Sequence, residues 1–284
     1  MRTVYINGNF VPENEATISV FDRGFLFADA VYEVTAVLGG KLVDFQGHLT
    51  RLRNSLSEIS MVLDVDDETL LAAHRKLVEA NGLDEGLIYL QVSRGAADRD
   101  FLFPETTVPS TLVMFTQKKN LIDSPVAQRG QYVILVDDER WSRRDIKTVQ
   151  LLYPVLAKNL AKKEGADDAW MVEDGFITEG CSNNAYIVTK DGTLVTRHLS
   201  TDILPGITRS AVLKCAKDLQ IKIEERPFTI EEIKSAQEAF STSASGFVNP
   251  VVRIDDMKIG DGEPGPVAKR LREVYIQTST EMAI

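Results

Sequence analysis

Cysteine is scarce in this chain: among 284 residues only Cys181 and Cys215 occur. Two thiols make no disulfide framework, and no Cys/His cluster has zinc spacing, so neither a disulfide-stapled nor a zinc-built fold is expected, and no metal. No run of 18 apolar residues is present, which excludes a membrane-spanning helix of ordinary composition. The N-terminus, from Met1 to Gly8, reads as a short strand entering a turn and has no signal-peptide character. Basic charge is in deficit, with a formal net charge of −10. That argues against a general nucleic-acid binder, which carries a basic face, yet leaves room for a local basic pocket that takes an anionic ligand. A reducing cytoplasm is the expected location.

What is present suits a soluble globular protein: 44% hydrophobic and 26% charged residues, with enough chain for one large domain or two modest ones. Residues 3–6 and 33–38 read as strands, and Gly39-Gly40 makes a hairpin turn into 41–45. Residues 48–62 form a helix pattern with Leu49, Leu52, Leu56 and Ile59 on one face, and 68–80 form another. Strands follow at 87–93 and 111–116. The polar stretch 118–128, with Pro125, is the best linker. Beyond it the pattern gives strands at 132–136, 169–172, 184–188, 194–196 and 221–226, and helices at 151–164, 208–219 and 265–278. The expectation is α+β: an N-terminal domain over 1–119, a linker over 120–128, and a C-terminal domain over 129–284, with a ligand cleft between the domains.

Three features then occur in a telling order. Lys147 sits in Arg143-Arg144-Asp145-Ile146-Lys147-Thr148, with the largely apolar run 149–156 behind it. Glu179 lies in Thr178-Glu179-Gly180, and Leu204-Pro205-Gly206-Ile207-Thr208-Arg209 opens a helix. A desolvated amine forms a Schiff base with an aldehyde, a carboxylate keeps a pyridine nitrogen protonated, and a helix start binds phosphate. These are the needs of pyridoxal 5'-phosphate. Each feature alone has a plainer explanation: a surface lysine, a loop glutamate, an ordinary helix cap. The hydroxyl-rich Thr242-Ser243-Ala244-Ser245-Gly246 suits a phosphate, and so does Arg51, placed by periodicity on the polar side of the 48–62 helix.

The ordered set resembles the fold-type IV pyridoxal-phosphate enzymes over nearly the whole chain, from Asn7-Gly8 through residues 22–33, His48…Arg51-Leu52, Lys147, Thr178-Glu179-Gly180 and residues 204–209 to Gly265-Pro266-Val267. The resemblance implies a two-domain fold, with a small N-terminal α/β domain and a larger barrel-like C-terminal domain that carries the Schiff-base lysine, Lys147. It implies that Glu179 pairs with the pyridine nitrogen and Leu204 packs on the ring. Arg51, the amides of Ile207 and Thr208, and Ser243-Ala244 would hold the phosphate. It further implies a homodimer with sites built from both subunits.

Among these enzymes the D-amino-acid aminotransferases are most similar, on residues 23–29, Trp141…Asp145-Ile146-Lys147-Thr148 and 90–95. The implied activity is ping-pong transamination from a D-amino acid to a 2-oxo acid. Tyr32 and Arg99 match their carboxylate trap, but Phe101 stands where they have histidine. Phe101 makes that place more apolar, which leaves room for Arg94 as the carboxylate partner, or for an R-selective amine transaminase. A branched-chain L-amino-acid aminotransferase shares residues 204–209. A non-catalytic binding protein on the same fold is the reading from another class. Cys181, after Glu179-Gly180, reads as a buried thiol without a nucleophilic role.

Overall fold

The computed structural model describes all 284 residues, Met1–Ile284. The chain divides into two compact units. One comprises residues 1–120, 146–150 and 282–284, and the other 121–145 and 151–281.

The first unit is one antiparallel sheet with helices. In chain order its elements are β1 (Thr3–Ile6), β2 (Asn9–Pro12), α1 (Arg23–Phe27), β3 (Ala30–Leu38), β4 (Lys41–Leu42), α2 (Phe45–Glu58), α3 (Asp67–Ala80), β5 (Gly86–Ser93) and β6 (Thr111–Lys118). The six strands run in the order β2-β1-β6-β5-β3-β4. β3 presents two unlike faces, because successive side chains of a strand alternate between them. Val31, Glu33 and Thr35 are buried, while Tyr32 and Val34 on the other face are only partly covered. The core joins this sheet to α2 and α3 through Leu49, Leu52, Leu56, Leu70 and Leu77. Asp66 caps α3 by accepting from the Thr69 amide at 2.7 Å.

The second unit holds α4 (Pro125–Arg129), β7 (Gln131–Asp137), α5 (Leu152–Lys163), β8 (Asp168–Glu173), β9 (Phe176–Gly180), β10 (Asn184–Val188), β11 (Leu194–Thr196), α6 (Ile207–Asp218), β12 (Ile223–Glu225), α7 (Ile230–Ser235), β13 (Glu238–Ser243), β14 (Phe247–Ile254), β15 (Met257–Lys258) and α8 (Pro266–Met282). Its nine strands follow the order β12-β11-β10-β13-β14-β7-β8-β9, with β15 on β14, in the curled half-barrel that the resemblance implied. β8 and β10 are buried nearly throughout, as strands covered on both faces must be. Trp170, Tyr186, Tyr275, Phe228, Phe240 and Phe247 are the largest fully buried side chains of this unit. No helix is long and apolar enough to cross a membrane.

The observed elements differ from the sequence reading in instructive places. Residues 125–129, inside the expected linker, form α4, started by Pro125 at the first helical turn and by the Ser124 cap. The Lys147 segment groups with the first unit, not with the C-terminal residues. Tyr32 N donates to Lys147 O at 3.0 Å and Val149 N to Ala30 O at 3.1 Å, so residues 147–149 run beside β3. The helix 48–62 is shifted to Phe45–Glu58, because Asp44 starts it and Ser60 takes a left-handed φ of 53° just after it ends.

Candidate active site

Within the first unit, Lys147 is anchored by its backbone at both ends. Ser55 Oγ on α2 accepts from its amide at 3.2 Å, and its carbonyl accepts from Tyr32. Its Nζ lies 4.3 Å from the Tyr32 ring centroid. Tyr32 in turn stacks on Tyr89 at 5.5 Å, and Tyr89 on Phe115 at 4.9 Å, across three neighbouring strands. An amine at an aromatic face is partly desolvated yet favoured as a cation. The apolar run behind Lys147 does not supply that desolvation: Leu152, Val155 and Leu156 are exposed on α5.

The opposite face of β3 carries a buried charge cluster. Arg51 on α2 donates from Nε and Nη2 to the two oxygens of Glu33, both at 2.8 Å. His48, one turn earlier on α2, bonds Glu33 Oε2 at 2.7 Å. Arg51 is therefore buried, not on the polar side of its helix, because a strand carboxylate 18 residues earlier draws it inward. Burial alone would raise the Glu33 carboxyl. The Arg51 charge and the Arg51 and His48 hydrogen bonds outweigh it and hold Glu33 at about 2.

Arg99 and Phe101 stand exposed on the loop after β5. The Arg99 guanidinium lies 5.1 Å from the Phe27 ring and 5.6 Å from the Phe101 ring, and these two rings meet at 5.5 Å. Arg99 and Phe101 thus meet Phe27 and each other. Buried Arg23 steadies the loop by donating to the carbonyls of Asp100 at 2.7 Å and Leu102 at 3.3 Å. Arg94 is committed elsewhere. It pairs with both oxygens of Asp29, at 2.8 and 3.0 Å, and donates to the carbonyls of Ile59 and Ser60.

Within the second unit, Glu179 on β9 is buried, not a loop residue, and its partners are fixed. Arg140 Nη1 donates to Oε1 at 2.6 Å, while the Asn184 amide and the Leu204 N–H donate to Oε2 at 2.9 and 3.1 Å. Burial pushes the Glu179 carboxyl above the usual carboxylate range, with Arg140 pulling the other way and Asp138 adding to the rise. Asp138 accepts from Arg140 at 2.9 and 2.7 Å and from Thr178 Oγ1 at 2.6 Å. Asn184 also donates to the Leu204 carbonyl at 2.9 Å, so one amide ties Leu204 to Glu179. Arg140 and Asn184 are partners of Glu179 that sequence reasoning missed. The charged run Asp137–Arg140 at the end of β7 was the available signal for Arg140.

Gly206 is the N-cap of α6 and offers no side-chain cap to the first-turn amides, including those of Ile207 and Thr208. A Cβ at Gly206 would lie 2.1 Å from Asn184 Oδ1, so glycine is required by close approach. Ser243 ends β13 and its Oγ lies 3.5 Å from Ser245 Oγ in the β13–β14 hairpin that includes Ala244. Cys181 is buried, and burial, with Asp168 beside it, pushes its thiol up to about 12. It does not supply a thiolate at neutral pH.

The first unit thus carries a lysine amine on an aromatic face, and the second a buried carboxylate with fixed donors and an uncapped helix start. Each is a feature of the kind that a phosphorylated pyridine aldehyde needs, and comparison with known proteins gives the class of protein: an enzyme that works through pyridoxal phosphate. The family model for class IV aminotransferases matches residues 30–254. The chain is 38% identical over 277 residues to the D-alanine aminotransferase of Staphylococcus aureus strain N315, covering 97% of each chain. It is 36% identical over 274 residues to that of Bacillus licheniformis, covering 95% of this chain and 94% of the other. Among solved structures, a T.th. branched-chain amino acid aminotransferase with pyridoxamine 5'-phosphate superposes with a TM-score of 0.89 at 27% identity, covering 99% of this chain and 94% of that one. The chain belongs to the class IV aminotransferase family and is a pyridoxal-phosphate-dependent aminotransferase.

Proposed function

We propose that this enzyme transfers the amino group of a D-amino acid to a 2-oxo acid by a ping-pong mechanism. The observation that carries the reading is the Lys147 amine 4.3 Å from the Tyr32 ring, with the Lys147 backbone tied to α2 through its amide and to β3 through its carbonyl. When bound, pyridoxal phosphate supplies an electron sink and an amino-group carrier. Lys147 would hold it through its Nζ, and the same amine would move the proton at the substrate α-carbon. Glu179, steadied by Arg140 and Asn184, would keep a proton at the pyridine nitrogen. Leu204 would pack against the ring. Arg51, the Ile207 and Thr208 amides, and Ser243-Ala244 would hold the phosphate. Arg51 acts while braced by Glu33.

Tyr32 and Arg99 are the proposed substrate residues, with Phe101 lining the same place. Arg99 faces two aromatic rings and no carboxylate, which leaves its charge available to a substrate carboxylate. The likeness to D-alanine aminotransferases supports the D-amino-acid donor. Exposed Leu152, Val155, Leu156 and Leu160 on α5, and Phe101, Leu102 and Phe103 after β5, support a homodimer that covers them. Two buried cysteines outside any disulfide support a reducing cytoplasmic location.

The test mixes purified yellow protein with D-alanine, L-leucine or (R)-1-phenylethylamine separately, with no acceptor, and follows the visible absorption. Rapid bleaching by D-alanine alone is expected, with no covalent colour in Lys147→Ala. Bleaching by L-leucine or the amine instead would overturn the donor class. A colourless protein that takes up no pyridoxal phosphate would overturn the assignment of Lys147 and Glu179.

A further inference from the structure

The hairpin between β13 and β14 is held in an unfavourable shape by a residue far along the chain. Phe247 is fully buried with φ at +61°. A bulky aromatic residue pays a steric cost in that left-handed region, and such strain persists only where the surroundings over-determine it. The surroundings here are α8. Arg272 Nη1 donates to the carbonyls on both sides of Phe247, Gly246 O at 2.7 Å and Val248 O at 2.9 Å. Arg272 Nη2 donates to the carbonyls of Leu121 and Ile122. The guanidinium also lies 5.8 Å from the Phe247 ring, and Tyr275, one turn on, meets that ring edge-on at 5.3 Å.

This is an unusual use of a charged group. A half-buried arginine ordinarily takes a carboxylate, whose two oxygens match its fork. Arg272 instead serves four backbone carbonyls, and burial lowers its basicity from the ordinary arginine value, with only Asp123 acting against this. A guanidinium bonded this way fixes backbone direction rather than neutralising a charge. The backbone it fixes is the end of the hairpin that carries Ser243, Ala244 and Ser245. That hairpin has no slack: a Cβ at Gly246 would lie 2.5 Å from Asn249 Nδ2 and 3.3 Å from Ser243 Oγ.

We infer that Arg272 is a positioning residue for the cofactor phosphate: by clamping the carbonyls of Gly246 and Val248 it holds the Ser243–Ser245 turn in its phosphate-binding shape. The inference rests on the reading that Ser243 and Ala244 contact the phosphate. Arg272 itself would act through this backbone, since its hydrogen bonds go to the carbonyls of Gly246, Val248, Leu121 and Ile122.

The experiment titrates the apoenzymes of wild type, Arg272→Gln and Arg272→Lys with pyridoxal phosphate and with pyridoxal, which lacks the phosphate. Absorbance reads binding, and thermal unfolding of each apoenzyme runs in parallel. Arg272→Gln is expected to weaken pyridoxal phosphate about tenfold or more while pyridoxal binding moves less than about twofold. Arg272→Lys, a point charge reaching fewer carbonyls, should show a smaller loss of the same selectivity, and it carries the test if the glutamine variant does not fold. Equal losses for both ligands, or no loss for either, would overturn the inference and leave Arg272 with packing alone. Wild-type protein that binds pyridoxal phosphate no better than pyridoxal would overturn the phosphate reading of the hairpin itself.

Discussion

Two buried carboxylate–guanidinium clusters, one in each unit, use the same chemistry to opposite ends. Glu33 meets Arg51 through both oxygens and receives His48 as well, so it ends with its carboxyl at about 2. Glu179 meets Arg140 through one oxygen only, and Arg140 is shared with Asp138. Burial and the Asp138 charge push the Glu179 carboxyl up. Glu33 is thus saturated with positive charge, and Glu179 is short of it. The lesson is that burial and an arginine partner do not by themselves tell a structural ion pair from a reactive one. What separates them is whether the positive charge is whole or divided. A protonated pyridine nitrogen would supply the charge Glu179 lacks, whereas Glu33 has no such deficit.

The sharpest way to break this comparison is to neutralise each carboxylate in turn. Glu179→Gln is expected to lower kcat on the order of 10³-fold, as loss of a charge stabiliser at the reacting centre does. The apoprotein should stay within about 1 kcal/mol of wild type, because a neutral side chain escapes the cost of ionising in a buried place. Steady-state kinetics and apoprotein denaturation measure both. Glu33→Gln reverses the pattern. It strands the Arg51 charge in a buried site, and stability should fall by about 3–5 kcal/mol in a urea titration. Equal stability losses in the two variants would show that the clusters do not differ as their geometry says.

Acid titration gives the same contrast with opposite signs. Glu33 has a folded value of about 2, below its unfolded value of 4.5. Its stabilisation is complete above pH 4.5 and is lost as pH falls toward 2, amounting to about 3 kcal/mol. Glu179 is raised above 4.5, so its contribution is present below that value and is lost as pH rises through its folded value. Glu33→Gln should therefore flatten the acid limb of the stability curve between pH 4.5 and 2, and Glu179→Gln should not. A stability curve of Glu33→Gln that keeps the wild-type acid limb would assign that limb to other carboxylates.

How much of this was legible in the sequence depends on how local each feature is. Lys147, Glu179, Gly206 and the Ser243 turn sit in short motifs, so spacing along the chain was enough to single them out. The α2 helix was legible from its leucines, but periodicity misplaced Arg51, because its inward pull comes from Glu33 on another element. The grouping of 146–150 with the first unit was not legible for the same reason: its bonds to Ala30 and Tyr32 span more than a hundred residues. β9 and α1 escaped notice as short elements, α1 resting on an Asp22 cap and five residues. Asn184 had no local mark, and the charged run that holds Arg140 does not name its partner. Arg140 is 39 residues from Glu179, and its role exists only once β7 and β9 are folded.

Arg140 therefore offers the finest test of the comparison. Arg140→Lys keeps the charge but replaces a planar fork by a point donor, which cannot serve Asp138 bidentately and Glu179 at once. Asp138, with two bonds to Arg140 and a third from Thr178, competes strongly for the lysine. Glu179 then keeps Asn184 and the Leu204 amide but loses most of its positive partner. The expected result is a fall in kcat of roughly tenfold, smaller than for Glu179→Gln because the carboxylate remains. Cofactor affinity should stay within about twofold, because the phosphate contacts are untouched. The matched change in the other cluster, Arg51→Lys, should instead weaken cofactor affinity and stability together. If Arg140→Lys leaves kcat unchanged, the divided charge is not what distinguishes Glu179 from Glu33.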